Sequence, residues 1–338
     1  MTASHTVAVL GGGSFGTVIA NIIAGNGNGV TLWLRNLDRA ECINQRRRNV
    51  DYLPDYPLHD ALRATVSLEE AVAGVDIILV AVPSKSFREV VRELSGLISG
   101  DTVLISLTKG IEEQGFRLMS EILKEEMPEN PLGVLCGPNL AGEIAAGHVT
   151  GSVIASEVPA VNRMIHDLLH SDTFLIFSSR DMYGVELGGA LKNVYAILAG
   201  VAAALELGEN TVGMMLTRAL AEMSRFAVHM GANPMTFLGL AGVGDLFVTC
   251  SSSLSRNYRV GVALGKGQPL DDALKAMDQV AEGINTLRLL KAEADRLEVP
   301  MPLVNGLYAM LYEHRPVVDV FDDMIHTEQA QDVEFVTS

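Results

Sequence analysis

Four basic residues stand in stretches that suit them to hold an anion or move a proton. Lys109 lies in Thr108-Lys109-Gly110, directly after the apolar run Thr102–Leu107. Lys192 follows Gly188 and Gly189 by four and three residues, so all three share one face of a helix. Two adjacent helical glycines each cost up to about 1 kcal/mol relative to alanine. That cost is explained either by a flat ring or small substrate lying against bare backbone beside the ammonium, or by close helix packing with a snorkelling lysine. Arg256 lies in Ser251-Ser252-Ser253-Leu254-Ser255-Arg256-Asn257-Tyr258-Arg259, which holds four serines, two arginines and no acid. Before a helix, such a stretch is a phosphate cradle or a polar linker ending in an N-cap serine. Arg35 ends the run Val30–Leu34, where it either pairs with a phosphate or is solvated.

Gly11-Gly12-Gly13-Ser14-Phe15-Gly16 supplies the anion site these cations would serve. It contains G-x-G-x-x-G at Gly11, Gly13 and Gly16, after a predicted strand and before a predicted helix. In that setting Gly11 permits the tight turn and Gly13 lets a pyrophosphate approach the backbone. Gly16 lets helix and sheet pack closely, and the helix N-terminus faces the anion. A dinucleotide cofactor follows. An NAD-selective site carries Asp or Glu at the end of the second strand. This strand ends Leu34-Arg35-Asn36, and Asp38 comes late. The expectation is NADP(H), with NAD(H) usable as well.

The elements that position these residues are legible in the hydrophobic pattern. Thr6–Leu10, Val30–Leu34, Asp76–Val82, Thr102–Leu107 and Gly133–Cys136 are continuous apolar runs, as strands buried on both faces require. Gly151–Ala155 and Thr173–Phe177 are two further candidates. Phe15–Ala24 and Phe87–Ile98 between them are helical in period. The first half is therefore an α/β, doubly wound, mostly parallel Rossmann-like sheet. Beyond Arg180 no strand pattern occurs. Leu187, Leu191, Val194, Leu198, Val201 and Leu205 make one helical stripe. Thr211–Met230, Leu270–Met277, Gly283–Leu297 and Val304–Tyr312 continue as helix. The expected domains are 1–180 for the dinucleotide and 181–338, all-helical, for the substrate.

Composition excludes several classes. The 338 residues carry 41 Asp and Glu against 25 Lys and Arg, a net charge of −16. Nucleic acid and anionic membrane surfaces both need a cationic face, so neither is expected as a partner. Cys42, Cys136 and Cys250 are too far apart for a zinc set or a disulfide framework. No metal is expected. The longest charge-free apolar run, Val194–Leu205, is shorter than the roughly 20 residues a bilayer needs. A cytoplasmic location without membrane insertion is the expectation.

Several blocks, in order, resemble the soluble bacterial NAD(P)-dependent glycerol-3-phosphate dehydrogenase family. They are GGGSFGT, LTKGIE, GPNLAGEIA, GVELGGALKNVYAI, GLAGVGDLFVTCSSSLSRN and AEGINT, and they span nearly the whole chain. The resemblance implies a homodimer that reduces dihydroxyacetone phosphate to sn-glycerol 3-phosphate for phospholipid synthesis. It implies Lys192 as the catalytic lysine and Lys109 as a second lysine touching substrate and cofactor. Gly137, Asn139, Asp245, Ser255, Arg256 and Asn257 match substrate-binding positions. Ser14, Phe15, Arg35, Asn49, Ala141, Arg256, Val280 and Glu282 match cofactor-contacting positions, beside Gly11, Gly13 and Gly16. The family more often has Ala and Trp where this chain has Gly12 and Phe15, and Ser or Thr where it has Asn139. Two alternatives remain open. A ketopantoate or β-hydroxyacid reductase would not need the Ser/Arg/Asn cradle. A nonenzymatic NADPH sensor would not need Lys192, Lys109 and Asp245 together.

Overall fold

The computed structural model describes residues 5–275 and 282–326. The chain divides into two compact units. One comprises Met1–Glu112 and Arg117–Met182, the other Glu113–Phe116 and Tyr183–Ser338.

The first unit is built on eight strands: β1 (Thr6–Leu10), β2 (Gly29–Trp33), β3 (Leu62–Thr65), β4 (Ile77–Val80), β5 (Val103–Ser106), β6 (Leu132–Cys136), β7 (Thr150–Ala155) and β8 (Phe174–Ser179). They form one sheet in the order β3-β2-β1-β4-β5-β6-β7-β8. Every pairing is parallel except β6 with β7. The helices of this unit are α1 (Ser14–Gly25), α2 (Leu37–Arg46), α3 (Leu68–Val72), α4 (Ser84–Glu93), α5 (Met119–Glu126), α6 (Ala141–Ala145) and α7 (Pro159–Leu169). Alternate strand residues enter two cores. Val7, Val9, Ile77 and Leu79 pack on one face with α1 and α7; Ala8, Leu10, Ile78 and Val80 pack on the other with α4 and α5. Burial on both faces is why the strands read as unbroken apolar runs.

The sequence pattern marks no strand at β3, a four-residue edge strand in which Leu62 and Ala64 are buried and Arg63 is exposed. The helical period runs on to Ile98, whereas α4 ends at Glu93. The reason is Gly96, whose φ of +81° is incompatible with a continuing right-handed helix.

In the second unit the described residues form α8 (Met182–Ala204), α9 (Glu209–His229), α10 (Asp245–Ser251), α11 (Arg256–Gly265), α12 (Leu270–Lys275), α13 (Glu282–Arg296), α14 (Pro302–Tyr312) and α15 (Val317–His326). A 3₁₀ turn (Pro234–Leu238) and a π-helical turn (Leu240–Gly244) lead into α10. Phe116 joins this unit, its ring edge-on to Phe226 with centroids 5.4 Å apart. The single-stripe expectation for α8 needs correction. All residues from Gly184 to Ala202 are buried, so the helix is covered on every side. By length and composition α8 could cross a bilayer, but 89% of its most apolar window is buried inside the protein. It is packed as a core helix.

Helix α11 lies against α8 backbone to backbone. A Cβ added at Gly200 would sit 2.0 Å from the Tyr258 carbonyl oxygen, and one at Gly261 would sit 1.9 Å from that of Ile197. This contact fixes α11, which carries Arg256 and Asn257 at its start, on α8, which carries Lys192.

Candidate active site

The glycine loop joins β1 to α1. Gly11 has φ +127°, and a Cβ there would meet the Ala81 carbonyl oxygen at 2.4 Å, so the turn tolerates glycine alone. A Cβ on Gly16 would lie 2.0 Å from the Gly11 carbonyl oxygen, which is the close loop–helix approach expected of the third glycine. Gly13 differs: a Cβ there meets nothing within 4 Å. It is the N-cap of α1, and no side chain caps that end. Open space before an uncapped helix N-terminus fits a pyrophosphate, so the loop fits a dinucleotide cofactor. Ser14 and Phe15 open α1, and Phe15 packs partly on the core.

Asn49 sits behind this loop, fully buried. Its amide donates to the Gly12 carbonyl oxygen (3.0 Å) and to the Thr17 hydroxyl (2.8 Å). Both amide hydrogens brace the loop, and the Asn49 Oδ1 has no hydrogen-bond partner.

Arg35 stands just past β2 and is 59% exposed. Its guanidinium lies over the Trp33 ring, 5.9 Å from the centroid, and 3.4 Å from the Glu89 carboxylate on α4. Asn36 caps α2 through the Arg39 amide, and Asp38 falls in the first turn of that helix. No acid ends the strand itself.

Past the carboxyl ends of β5 and β6 the structure brings three expected residues together. Lys109 Nζ donates to the Gly137 carbonyl oxygen at 2.8 Å. The Asn139 amide donates to the Ser152 hydroxyl (3.0 Å), which donates in turn to the Cys136 carbonyl oxygen (3.1 Å). That amide is held inside the protein, while Asn139 Oδ1 is buried and unpartnered. Ala141 begins α6.

In the second unit Lys192 and Asp245 are paired. Lys192 is 5% exposed and Asp245 0%. Nζ donates to the Asp245 carboxylate and, at 2.7 Å, to the Thr249 hydroxyl. The Thr249 hydroxyl donates to the Asp245 carbonyl oxygen at 2.6 Å, which leaves its lone pair for the lysine. A buried ion pair needs such added bonds to offset desolvation. Asp245 reaches this place because the π turn delivers it to the first residue of α10. That turn packs tightly on α8, since a Cβ at Gly188 would meet the Ala241 carbonyl oxygen at 2.6 Å. Gly188 therefore serves helix packing and does not leave an open face for a ring. Cys250 lies next to this group, and burial pushes its thiol up to about 12, so it stays protonated at neutral pH.

Ser255 caps α11, accepting from the Tyr258 amide at 3.3 Å. Arg256, the first residue of α11, is exposed, and Asn257 is buried. The Asn257 amide donates to Asn193 Oδ1 (3.0 Å), and its Oδ1 accepts from the Gly283 amide (3.0 Å), beside Glu282 at the start of α13. Val280 lies outside the described residues. Sequence reasoning missed Thr249 and Asn193. Thr249 was findable as the i+4 neighbour of Asp245 within GDLFVTC; Asn193 carried no signal of its own.

One turn after Lys192, the Tyr195 hydroxyl donates to Glu222 Oε2 at 3.2 Å, and Glu222 Oε1 accepts from the Leu303 amide at 2.6 Å. Glu222 is fully buried, and that burial raises its carboxyl to about 7. The folded protein thus holds this proton more tightly than the unfolded chain does. Stability from Glu222 is complete below about pH 4 and is lost as pH rises through about 7. A Glu222→Gln variant, which keeps the amide acceptor, should lack this decline, worth about 3 kcal/mol. Denaturant unfolding of both proteins across that range checks it. Parallel stability–pH curves would mean that Glu222 stays ionised in the fold.

The family NAD-dependent glycerol-3-phosphate dehydrogenase matches in both parts, its N-terminus over residues 6–162 and its C-terminus over residues 181–322. A glycerol-3-phosphate dehydrogenase [NAD(P)+] of Saccharophagus degradans is 52% identical over 334 residues, covering 99% of this chain and 93% of the relative. One from Pseudomonas aeruginosa is 52% identical over 336 residues, covering 99% and 98%. The crystal structure of a glycerol-3-phosphate dehydrogenase from Coxiella burnetii superposes with a TM-score of 0.91 at 35% identity, covering 96% of this chain and 99% of that one. With a glycine loop open at Gly13 and a buried Lys192–Asp245–Thr249 group in the matched regions, the chain belongs to the NAD-dependent glycerol-3-phosphate dehydrogenase family.

Proposed function

We propose that this enzyme reduces dihydroxyacetone phosphate to sn-glycerol 3-phosphate, reversibly, with NADPH preferred and NADH usable. The observation that most supports this is the Lys192 ammonium, buried and held by one carboxylate and one hydroxyl. Reduction of a ketone builds negative charge on the carbonyl oxygen. A fixed cation stabilises that charge and a proton donor neutralises it. Lys192 takes both roles, as general acid in reduction and general base in oxidation. Asp245 favours the ammonium form and fixes where Nζ sits, with Thr249 directing a second N–H. Lys109 adds positive charge beside the substrate and cofactor. Arg256, with Ser255 and the remaining amide hydrogen of Asn257, holds the substrate phosphate at the start of α11. Gly137 and Asn139 are further substrate contacts.

The nicotinamide cofactor, when bound, supplies the hydride. Gly11, Gly13, Ser14, Phe15 and Gly16 would hold its pyrophosphate, with Asn49 bracing the loop; Ala141, Val280 and Glu282 are further contacts. The unit holding β1–β8 is the dinucleotide domain, and the helical unit is the substrate domain. NADPH oxidation with dihydroxyacetone phosphate, against ketopantoate and β-ketoacids, tests the assignment. Turnover of the ketoacids alone would overturn it.

Arg35 gives the cofactor preference, as a partner for the 2′-phosphate. Arg35→Asp should lower the ratio of kcat/KM for NADPH to that for NADH by about tenfold or more, as expected for a lost charge-assisted bond. An unchanged ratio would remove Arg35 from the site.

The product feeds phospholipid synthesis, in the cytoplasm. The working form is a homodimer. Met235, Leu238, Val243, Phe247 and Leu254 are large apolar side chains left exposed within one 20-residue stretch, and a second copy would cover them. A monomeric mass in sedimentation equilibrium would contradict this.

A further inference from the structure

Three residues assigned above to substrate or cofactor each have a neighbour in one small hydrogen-bonded group. Asn193 follows Lys192, Asn257 follows Arg256, and Gly283 follows Glu282. Asn193 Oδ1 accepts from the Asn257 amide at 3.0 Å, and Asn257 Oδ1 accepts from the Gly283 backbone amide at 3.0 Å. Both asparagines are 7% exposed. The group ties the start of α13 to the start of α11 and both to the middle of α8. It also fits without slack. A Cβ at Gly283 would meet the Asn193 carbonyl oxygen at 2.5 Å and Asn257 Oδ1 at 2.7 Å, so the α13 backbone lies directly on α8.

We propose that Asn193 is a positioning residue: through Asn257 and Gly283 it holds Lys192, Arg256 and Glu282, from three separate helices, in one fixed arrangement. This rests on the assignment of those three residues to the site. The physical case begins with the orphan donors of a helix N-terminus. The first amides of α13 have no partner within their own helix. Asn257 satisfies one of them at Gly283 from a different helix, so the end of α13 carrying Glu282 cannot shift without losing a buried bond. Asn257 in turn is oriented by Asn193. Its amide must point to Asn193 Oδ1 for its own Oδ1 to face Gly283. Removing Asn193 leaves the Asn257 amide unpaired at a buried site and frees it to turn. The backbone contact of Gly200 with α11 presses the two helices together but does not set the register of their ends. The side-chain clasp does. Misplacement by about 1 Å is enough to cost about 100-fold in rate.

The test is a double-mutant cycle with Asn193→Ala, Asn257→Ala and the double variant, assayed with dihydroxyacetone phosphate and NADPH well below the melting temperature of each. Each single change should lower kcat/KM by about 10- to 100-fold. The double variant should fall within about twofold of the worse single, because both remove the same link. The dissociation constant of NADPH, set chiefly by the glycine loop, should change far less than kcat. Hydrogen exchange at the Gly283 amide reads the clasp without any substrate. It should quicken in both single variants and stay slow in Asn193→Asp, which keeps the acceptor and covers the case in which Asn193→Ala fails to fold. Unchanged exchange at Gly283 would overturn the clasp. Quickened exchange with additive kinetic losses, or a lower melting temperature with normal kcat and KM, would overturn the positioning role. A wild-type enzyme inactive on dihydroxyacetone phosphate would instead overturn the functional assignment, with the exchange result still deciding the clasp.

Discussion

Replacing Lys192 by methionine should lower kcat for dihydroxyacetone phosphate by about 1,000-fold or more, while NADPH binds as before. The magnitude combines two losses. A general acid contributes about 100- to 10,000-fold, and a fixed positive group at a developing oxyanion a comparable factor. The substitution alone confounds chemistry with folding, however. Asp245 is 0% exposed, and without its partner it becomes an uncompensated buried charge, which costs about 3–5 kcal/mol. The informative protein is the double variant Lys192→Met with Asp245→Asn. It leaves no unpaired charge at this site, so it should melt close to the wild type and still fail to turn over. If the double variant kept even a tenth of wild-type kcat, Lys192 could not be the proton donor. The single variant Asp245→Asn adds a signature that stability cannot mimic. Loss of the carboxylate removes the group that favours the ammonium, so the alkaline limb of the kcat profile in the reducing direction should move to lower pH. Thr249 should hold the lysine in place there, because its hydroxyl accepts from Nζ independently of the Asp245 side chain.

What the sequence could and could not convey follows from the range of the forces involved. The turn of the glycine loop was legible because its steric logic is local. Gly11 and Gly16 crowd each other five residues apart, and the open space at Gly13 belongs to the same turn. Strands with both faces covered were legible as apolar runs. Strand β3, covered on one face and four residues long, was not. Lys192 and Asp245 each stood out by type and setting, but their bond joins residues 53 apart in the chain, and nothing in either segment specifies the other. Asn193 and Glu222 are further along the same scale. Their partners lie 64 and 81 residues away, at Asn257 and Leu303, and a lone asparagine or glutamate in a helix carries no mark of such a partner. The α8 stripe misled for the same reason. Periodicity reports which residues are apolar, whereas the glycines and Lys192 between them are buried by what packs on them. Arg35 shows the intermediate case. The missing acid at the end of β2 was readable, but Glu89, brought to it from α4, was not.

The same substitution should have opposite effects at two helical glycines of the second unit. At Gly213 in α9 an added Cβ meets nothing within 4 Å, so Gly213→Ala should stabilise by up to about 1 kcal/mol through helix propensity. At Gly261 in α11 the added methyl would lie 1.9 Å from the Ile197 carbonyl oxygen and 2.9 Å from the Gly200 Cα. Both obstacles are backbone, so no rotamer change relieves the overlap. Either α11 moves off α8 or the carbonyl leaves its hydrogen bond, and each disrupts a core that is close-packed. Gly261→Ala should therefore cost more than about 4 kcal/mol, the range reached only by the severest single changes. The functional consequence follows from what α11 carries. A helix displaced at Gly261 displaces Arg256 and Asn257, one turn back toward its start, and with them the link to α13. Any folded fraction should show a raised KM for dihydroxyacetone phosphate together with a lowered kcat, whereas Gly213→Ala should leave both unchanged. Urea denaturation and steady-state kinetics on the two variants decide it. A Gly261→Ala protein as stable as Gly213→Ala would mean that α8 and α11 do not meet at their glycines, and the placement of Arg256 relative to Lys192 would fall with that contact.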